Sequence, residues 1–282
     1  MVVMGKKSRR NKPSKERMPF VARTFAGLPN EADWVALREF VPSATAVVQL
    51  TDGTKVRICS LVPGAGAGLV RPDGEIWVGL QVMHNHGDIS RDLAHVVELA
   101  KQTPEGTPIK MTDPGVGPRL DEIVDAAGGF ELELHDDFNW WLQEADRQNS
   151  AAVAALEEAN ASVAPTTKLG SVQTAYLTDM GDHTYLRWIM PQDEDCLLDA
   201  LARLRAAGED SLTDGTVLIG IFRAHGLLAP VWEVVDVAAA DLDKATADFA
   251  GRLEQALTLT AELTTAERTS RRELNSRQVT IR

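Results

Sequence analysis

Residues 44–61, ATAVVQLTDGTKVRICSL, contain two runs of alternating apolar residues that are separated by an Asp-Gly pair. Alternation with a period of two predicts β-strands, and Asp-Gly between two such runs is typical of a tight hairpin turn. We therefore predict strands at 44–50 and 55–61, joined by a turn at Asp52-Gly53. A hairpin at this position indicates an antiparallel sheet in the first half of the chain.

Strand patterns and helix patterns alternate on both sides of this hairpin. Further strands are predicted at 76–82 and 130–134. Helical spacing of apolar residues, with capping and stop signals, predicts helices at 31–40, from Ser90 to about Ala100, at 118–127, and with breaks from 136 to about 161. The mixture predicts an α+β fold.

The second half of the chain contains similar signals. Leu50-Thr51-Asp52 is repeated as Leu177-Thr178-Asp179, and the run that follows Asp73-Gly74 resembles the run that follows Asp214-Gly215. Two explanations remain open: an internal duplication, in which the second copy inserts a helix at 193–207, or chance similarity between common turn sequences.

The remaining signals complete the predicted organisation. A hairpin turning at His225-Gly226, a helix at 241–259 and a capping box at Thr264-x-x-Glu267 are predicted, and residues 276–282 alternate like an edge strand. We predict two tandem, possibly duplicated α+β units with antiparallel sheets, which meet near Ala164-Pro165. The predicted boundaries are 1–19 for a disordered basic arm, 20–163 for the N-terminal unit and 164–282 for the C-terminal unit.

Charge is distributed very unevenly along the chain. The first twenty residues, MVVMGKKSRRNKPSKERMPF, carry seven Lys or Arg and one acid, whereas the other 262 residues carry 22 basic and 40 acidic residues. A short basic segment without apolar periodicity cannot bury enough surface to fold alone, but it can order on a polyanion. The predicted nucleic-acid-binding residues are the cations of this arm: Lys6, Lys7, Arg9, Arg10, Lys12, Lys15 and Arg17.

Composition indicates a globular cytoplasmic protein. The 282 residues are 44% hydrophobic and 25% charged, and they contain no apolar run long enough to span a bilayer and no secretory signal pattern. The two cysteines, Cys59 and Cys196, are predicted to be buried reduced thiols, and no cofactor is predicted. The six tryptophans fall where core or interface packing explains them.

Three groups of residues contain types that bind ligands or catalyse reactions in other proteins. The glycines of 63–68 lack the spacing of a phosphate-binding loop, so this segment is predicted to be a plain connection. The set His84, His86, Asp88 and His95 is dense in metal-ligand types, but turn and cap signals explain it better, and no metal site is predicted. Cys196 lies at a helix start among acids that raise its pKa, which disfavours a nucleophile.

The two histidines at predicted strand ends leave an enzyme open as an alternative. If the duplication is real, His84 and His225 are equivalent and could face each other across a cleft between the two halves, where either could act with a carboxylate as an acid–base pair. A structural histidine at a turn is the competing explanation.

Several stretches resemble an uncharacterised actinobacterial family, domain of unknown function 5926. The stretches that carry this resemblance are 4–12, 17–29, LRWIMP at 186–191, 197–204, 222–232 and RQVTIR at 277–282. The resemblance implies an actinobacterial, cytosolic protein with a single-family architecture, and it carries no activity or catalytic residue. From the charge of the arm, we expect a non-catalytic protein that associates with RNA or the ribosome through this arm; a tail that is solubilising or vestigial is the alternative.

Overall fold

The structure, a computed structural model, describes residues 21–82, 85–142 and 148–281. The first sheet contains six strands in the order β5-β3-β4-β2-β1-β6. Its strands are β1 (Ala44–Gln49), β2 (Lys55–Cys59), β3 (Gly68–Val70), β4 (Ile76–Gly79), β5 (Thr107–Ile109) and β6 (Glu131–Leu134). The helices of this half are α1 (Glu31–Glu39), α2 (Ile89–Ala100), α3 (Leu120–Ile123) and α4 (Ser150–Asn160).

The second sheet also contains six strands, in the order β12-β10-β11-β9-β8-β7. They are β7 (Thr166–Lys168), β8 (Ala175–Asp179), β9 (Thr184–Trp188), β10 (Thr216–Ala224), β11 (Leu227–Val234) and β12 (Gln278–Ile281). Its helices are α5 (Glu194–Ala207), α6 (Ala239–Leu257) and α7 (Thr265–Ser276). The described chain is thus an α+β fold with two mostly antiparallel sheets, as predicted.

The predicted hairpin is confirmed. β1 and β2 pair antiparallel, with Gln49 opposite Lys55 and Thr45 opposite Cys59. Gly53 has a φ of 86°, a conformation that glycine adopts without the steric cost of a Cβ atom. β2 then pairs with β4 in parallel, and β10 pairs with β12 in parallel, so each sheet includes one parallel pair among the described strands.

Helix α1 packs where the two sheets meet. Trp34 and Leu37 of this helix are fully buried, and they belong to a core that also includes Val48 of the first sheet and Ala229 of the second. Helices α5, α6 and α7 bury the other face of the second sheet in a separate core around Trp232. The two units therefore share one hydrophobic core through α1.

The helix predicted at 118–127 is wrong in length. Only Leu120–Ile123 is helical, because the chain then turns back to the hairpin. Val124 forms a bridge with Leu50, and the Asp125 amide donates to the Gln49 carbonyl over 2.8 Å. Backbone pairing to the sheet ends the helix earlier than the Gly128 stop signal suggested.

The two Asp-Gly turns that suggested a duplication lead into strands at different places. β4, after Asp73-Gly74, lies directly beside β2. β10, after Asp214-Gly215, is separated from β9 by β11. Gly79 and Gly220 also pack against unrelated segments. The repeated sequences are therefore not equivalent in topology, which favours chance similarity between turn sequences.

Two smaller predictions concern the glycine loop and the cysteines. A Cβ atom at Gly68 would lie 2.6 Å from the Trp77 carbonyl oxygen, so this glycine permits close packing of β3 and β4.

Cys59 is buried as predicted, but Cys196 is exposed, because the first turn of α5 points that side chain away from the core. Its pKa is raised by a hydrogen bond to Asp193 and by desolvation.

Candidate functional site

The described chain begins with a segment, residues 21–30, that lies between the two halves; we call it the root segment. Arg23 donates two hydrogen bonds to Glu31, at 2.7 and 2.8 Å. Gly226, in the β10–β11 turn, packs so closely on Ala22 and Arg23 that a Cβ atom there would lie 2.9 Å from their backbone. The root segment is therefore fixed to this turn of the second sheet.

His225 occupies the same turn, with its side chain directed inward. Its Nε2 lies 2.7 Å from Glu39 Oε1, and its Nδ1 lies 3.0 Å from the Thr24 hydroxyl. The ring also packs on Phe25, with centroids 5.3 Å apart. The His225 side chain is only 5% exposed. Because both ring nitrogens are occupied, this histidine has no free nitrogen for a substrate.

The last turn of α1 extends these contacts toward α2. Arg38 Nε lies 3.1 Å from Glu39 Oε1, and the Arg38 guanidinium donates to the Leu80 carbonyl. The pKa of Arg38 is lowered, because the effect of burial outweighs the charges of Glu39 and Asp92, which raise it. Asp92 is buried, and it accepts a 2.8 Å hydrogen bond from the His86 amide and lies 3.2 Å from the His86 ring.

A second branch connects α2 to the root segment. Asp88 caps α2 by accepting from the amides of Ser90 and Arg91 at 3.1 and 3.4 Å. Arg119 donates from Nε to Asp88 over 2.8 Å and from Nη2 to the Thr24 carbonyl over 2.9 Å. The backbone of the root segment is thus held by a buried carboxylate through one arginine.

These contacts form one largely buried polar cluster, which we call the junction network. Three carboxylates lie against two guanidinium groups and two imidazoles, and each carboxylate has a guanidinium or imidazole nitrogen within 3.2 Å. Removing one partner of a buried pair in this cluster should be destabilising, because the carboxylate that remains loses its compensating group. The members of the network are Thr24, Arg38, Glu39, His86, Asp88, Asp92, Arg119 and His225.

The sequence-predicted residues fall into two groups. Lys6, Lys7, Arg9, Arg10, Lys12, Lys15 and Arg17 lie outside the residues that the structure describes, and so does His84. His86 and His225 are described, and both join the junction network, through Asp92 and Glu39 respectively. His95 lies apart from it, between Glu98 and Thr112.

Few signals in the sequence indicated the other members of the network. Glu39 and Asp92 lie in helices where charged residues are ordinarily solvated, and Thr24 has no motif around it. One signal was present in α1, whose sequence EADWVALRE has charged residues on several sides of an apolar centre. A helix without a single polar face indicates burial between two layers, and hence buried partners for its charges.

The described residues contain no group of three or more His, Cys, Asp or Glu that could hold a metal ion. In the same part of the chain, no helix is both long and apolar enough to cross a membrane.

Comparison with known proteins identifies the family. The model of a family of unknown function, DUF5926, matches residues 24–282. The chain belongs to the DUF5926 family. No curated protein and no solved structure matches it. All residues of the junction network lie within the DUF5926 match, whereas the predicted basic arm precedes it.

Proposed function

We propose that this DUF5926 protein is a non-catalytic cytoplasmic protein that associates with RNA, on the ribosome, through its basic arm. One observation carries the proposal: seven Lys or Arg and one acid in residues 1–20, against 22 basic and 40 acidic residues in the rest of the chain. The residues in contact with RNA are Lys6, Lys7, Arg9, Arg10, Lys12, Lys15 and Arg17.

The physical basis is the release of counterions from the RNA backbone. Each phosphate that a lysine or arginine neutralises frees condensed cations, which favours binding without sequence specificity. The acidic body repels the same polyanion, so that contact is limited to the arm. The arm leads into the root segment, whose contacts with Gly226, Glu31 and Arg119 give it a fixed point of attachment on the body.

The contacts of His225 support a non-catalytic protein over the enzyme alternative. An acid–base histidine needs a nitrogen within reach of a substrate, whereas both nitrogens of His225 are bonded inside the protein. His84, the other histidine of that alternative, lies outside the described residues.

The experiment is a pull-down from cell lysate with full-length protein and with a variant that lacks residues 1–17. We expect RNA and ribosomal proteins to co-purify with the full-length protein and to be lost from the truncated one. The matched control keeps the arm and replaces three exposed cations of the body, Lys110, Lys244 and Arg272, by glutamine. Equal recovery of RNA and ribosomal proteins with the full-length and truncated proteins would contradict the proposal.

A further inference from the structure

A cavity of about 350 Å³ lies beside the outer edge of β10. β12 pairs only with Ile221–Ala224 of this strand, so the preceding residues Thr216–Gly220 have a neighbouring strand on one side alone. The cavity is bounded by Val217 and Leu218 of β10, by the end of α5 and by α7. Its volume is in the lower part of the range for small-molecule sites, roughly 300 to 1,000 Å³.

Helix α7 and its C-cap present to this cavity two hydrogen-bond donors that have no partner among the described residues. Ser270, Glu273 and Arg277 are spaced by three and four residues, which places them on one face, and all three line the cavity. Ser270 is only 9% exposed. Within the described part of the chain, neither the Ser270 hydroxyl nor the Arg277 guanidinium makes a hydrogen bond or an ion pair.

The backbone at Arg277 is nevertheless held in place. Its carbonyl accepts from the Ile221 amide at 3.5 Å, and its amide donates to the Leu274 carbonyl at 3.1 Å. A Cβ atom on Gly220 would lie 3.0 Å from the same carbonyl oxygen, so glycine permits this approach. The unpaired guanidinium therefore projects from a fixed point at the mouth of the cavity.

The cavity also contains a negative charge, on Glu273, that is only partly compensated. Arg205 is shared between two carboxylates, Asp210 at 3.0 Å and Glu273 at 3.4 Å. Glu273 is the more exposed of the two, at 54% against 19%. The cavity thus offers an unpaired cation at Arg277 and a half-exposed anion at Glu273.

We propose that this cavity binds a small zwitterion of the amino-acid type. The ligand carboxylate is bound by Arg277 and Ser270, and the ligand ammonium group lies toward Glu273. A simple anion would meet the Glu273 carboxylate, which Arg205 compensates only in part, and a simple cation would meet the Arg277 guanidinium, whereas a zwitterion satisfies both. The exposed side chain of Val217 offers an apolar surface to the rest of the ligand. This binding site is independent of the RNA-binding proposal.

The test uses the full-length protein and the twenty common L-amino acids, added one at a time at about 10 mM, with the melting temperature as the readout. The best ligand is then titrated calorimetrically beside its analogue without the amino group and its analogue without the carboxylate. We expect at least one amino acid to bind and both analogues to bind roughly tenfold more weakly or not at all. If no amino acid raises the melting temperature, or if the deaminated analogue binds equally well, the proposal is wrong.

Substitutions of the cavity residues test whether the amino acid binds in this cavity. R277Q is expected to weaken the amino-acid affinity at least about tenfold, S270A to weaken it about threefold, and R277K to retain part of it. The matched control is R272Q, since Arg272 is exposed on the same helix and donates to the Arg268 carbonyl within that helix. Far-ultraviolet circular dichroism verifies that each variant is folded. Unchanged affinity in R277Q, or an equal loss in R272Q, would overturn the assignment.

Discussion

The Nε2 atom of His225 lies 2.7 Å from a carboxylate oxygen of Glu39, which is 186 residues earlier in the chain. His225 belongs to a turn of the second sheet, and Glu39 is the last residue of helix α1. Beside this pair, the rings of Phe40 and Phe222 pack with centroids 5.7 Å apart. A polar contact and an apolar contact thus join the two halves at one place, so the stability of each half depends on the other.

Replacing His225 by alanine should destabilise the protein substantially. The change leaves the Glu39 carboxylate without its closest partner at a mostly buried site, and we expect a loss of about 2 to 4 kcal/mol in the free energy of unfolding. Urea unfolding followed by tryptophan fluorescence measures it. The control is His183→Ala, because His183 also pairs with a glutamate at 2.8 Å but is 58% exposed. Equal effects of the two substitutions would contradict a structural role for His225.

Tyr176 should make stability fall at alkaline pH. Its hydroxyl donates to Asp33 over 2.6 Å, and burial together with the Asp33 charge raises its pKa well above the usual value near 10. Above about pH 10 the unfolded chain releases the tyrosine proton while the folded chain keeps it, so stability falls by about 1.4 kcal/mol per pH unit. Below that pH the stabilisation that Tyr176 gives the folded protein is fully present. The difference between wild type and Tyr176→Phe, measured by urea unfolding from pH 9 to 11, isolates this effect.

The control for the alkaline measurement is Tyr185→Phe, which removes the other tyrosine of the chain. Tyr185 donates no hydrogen bond to a carboxylate in the described residues, and it packs against His183 with ring centroids 6.0 Å apart. Its removal should leave unchanged the rate at which the free energy of unfolding falls with pH between 9 and 11. If the free energy of unfolding falls equally steeply with pH in wild type and in Tyr176→Phe, other groups cause the loss of stability.

Two glycines of the 63–68 loop should respond differently to alanine. At Gly68 a Cβ atom would lie 2.6 Å from the Trp77 carbonyl oxygen and 2.9 Å from a methyl group of Val96. At Gly66 the nearest atoms would be 3.7 Å away, an ordinary contact distance. We expect Gly68→Ala to cost about 2 to 3 kcal/mol and Gly66→Ala to cost less than about 1 kcal/mol in thermal or urea unfolding. The reverse order would mean that β3 and β4 do not pack as closely as described.

The RNA affinity of the arm should depend steeply on salt. If five or six phosphates are neutralised, the logarithm of the binding constant falls with the logarithm of salt concentration with a slope of roughly 4 to 5. Fluorescence anisotropy with labelled RNA measures this slope. Removal of residues 1–17 should abolish it, whereas charge reversal at Glu157 and Glu158 should matter little, because screening acts over about 8 Å at physiological salt. A slope that survives the deletion would place the RNA contact elsewhere.

Local elements of this chain could be predicted because their causes are local. The hairpin at Asp52-Gly53, the helix after Asp193 and the capping box of Thr264 with Glu267 all depend on residues within a few positions of each other. The edge strand at the C-terminus was also predicted, and it pairs with β10. In each case a backbone conformation or a cap follows directly from the residue types.

The junction network could not be predicted, because its partners are far apart in sequence. Nothing near Glu39 indicates a histidine 186 residues later, and nothing near Arg119 indicates that the Thr24 carbonyl will accept its hydrogen bond. The repeated Asp-Gly segments show the converse error, since similar local sequences lead into strands at different positions in the two sheets. Turn chemistry specifies a turn, and pairing across a sheet depends on the whole fold.

The position of α1 between the two sheets has a consequence for synthesis on the ribosome. Trp34 and Leu37 are translated early, but residues that contact the end of this helix, such as Phe222 and His225, emerge nearly two hundred positions later. At about 5 to 20 residues per second, the helix waits roughly ten to forty seconds for its second layer. During that interval its apolar surface is a target for chaperones. Conditions that slow translation should therefore lower the yield of this protein more than that of proteins whose early helices complete their packing locally.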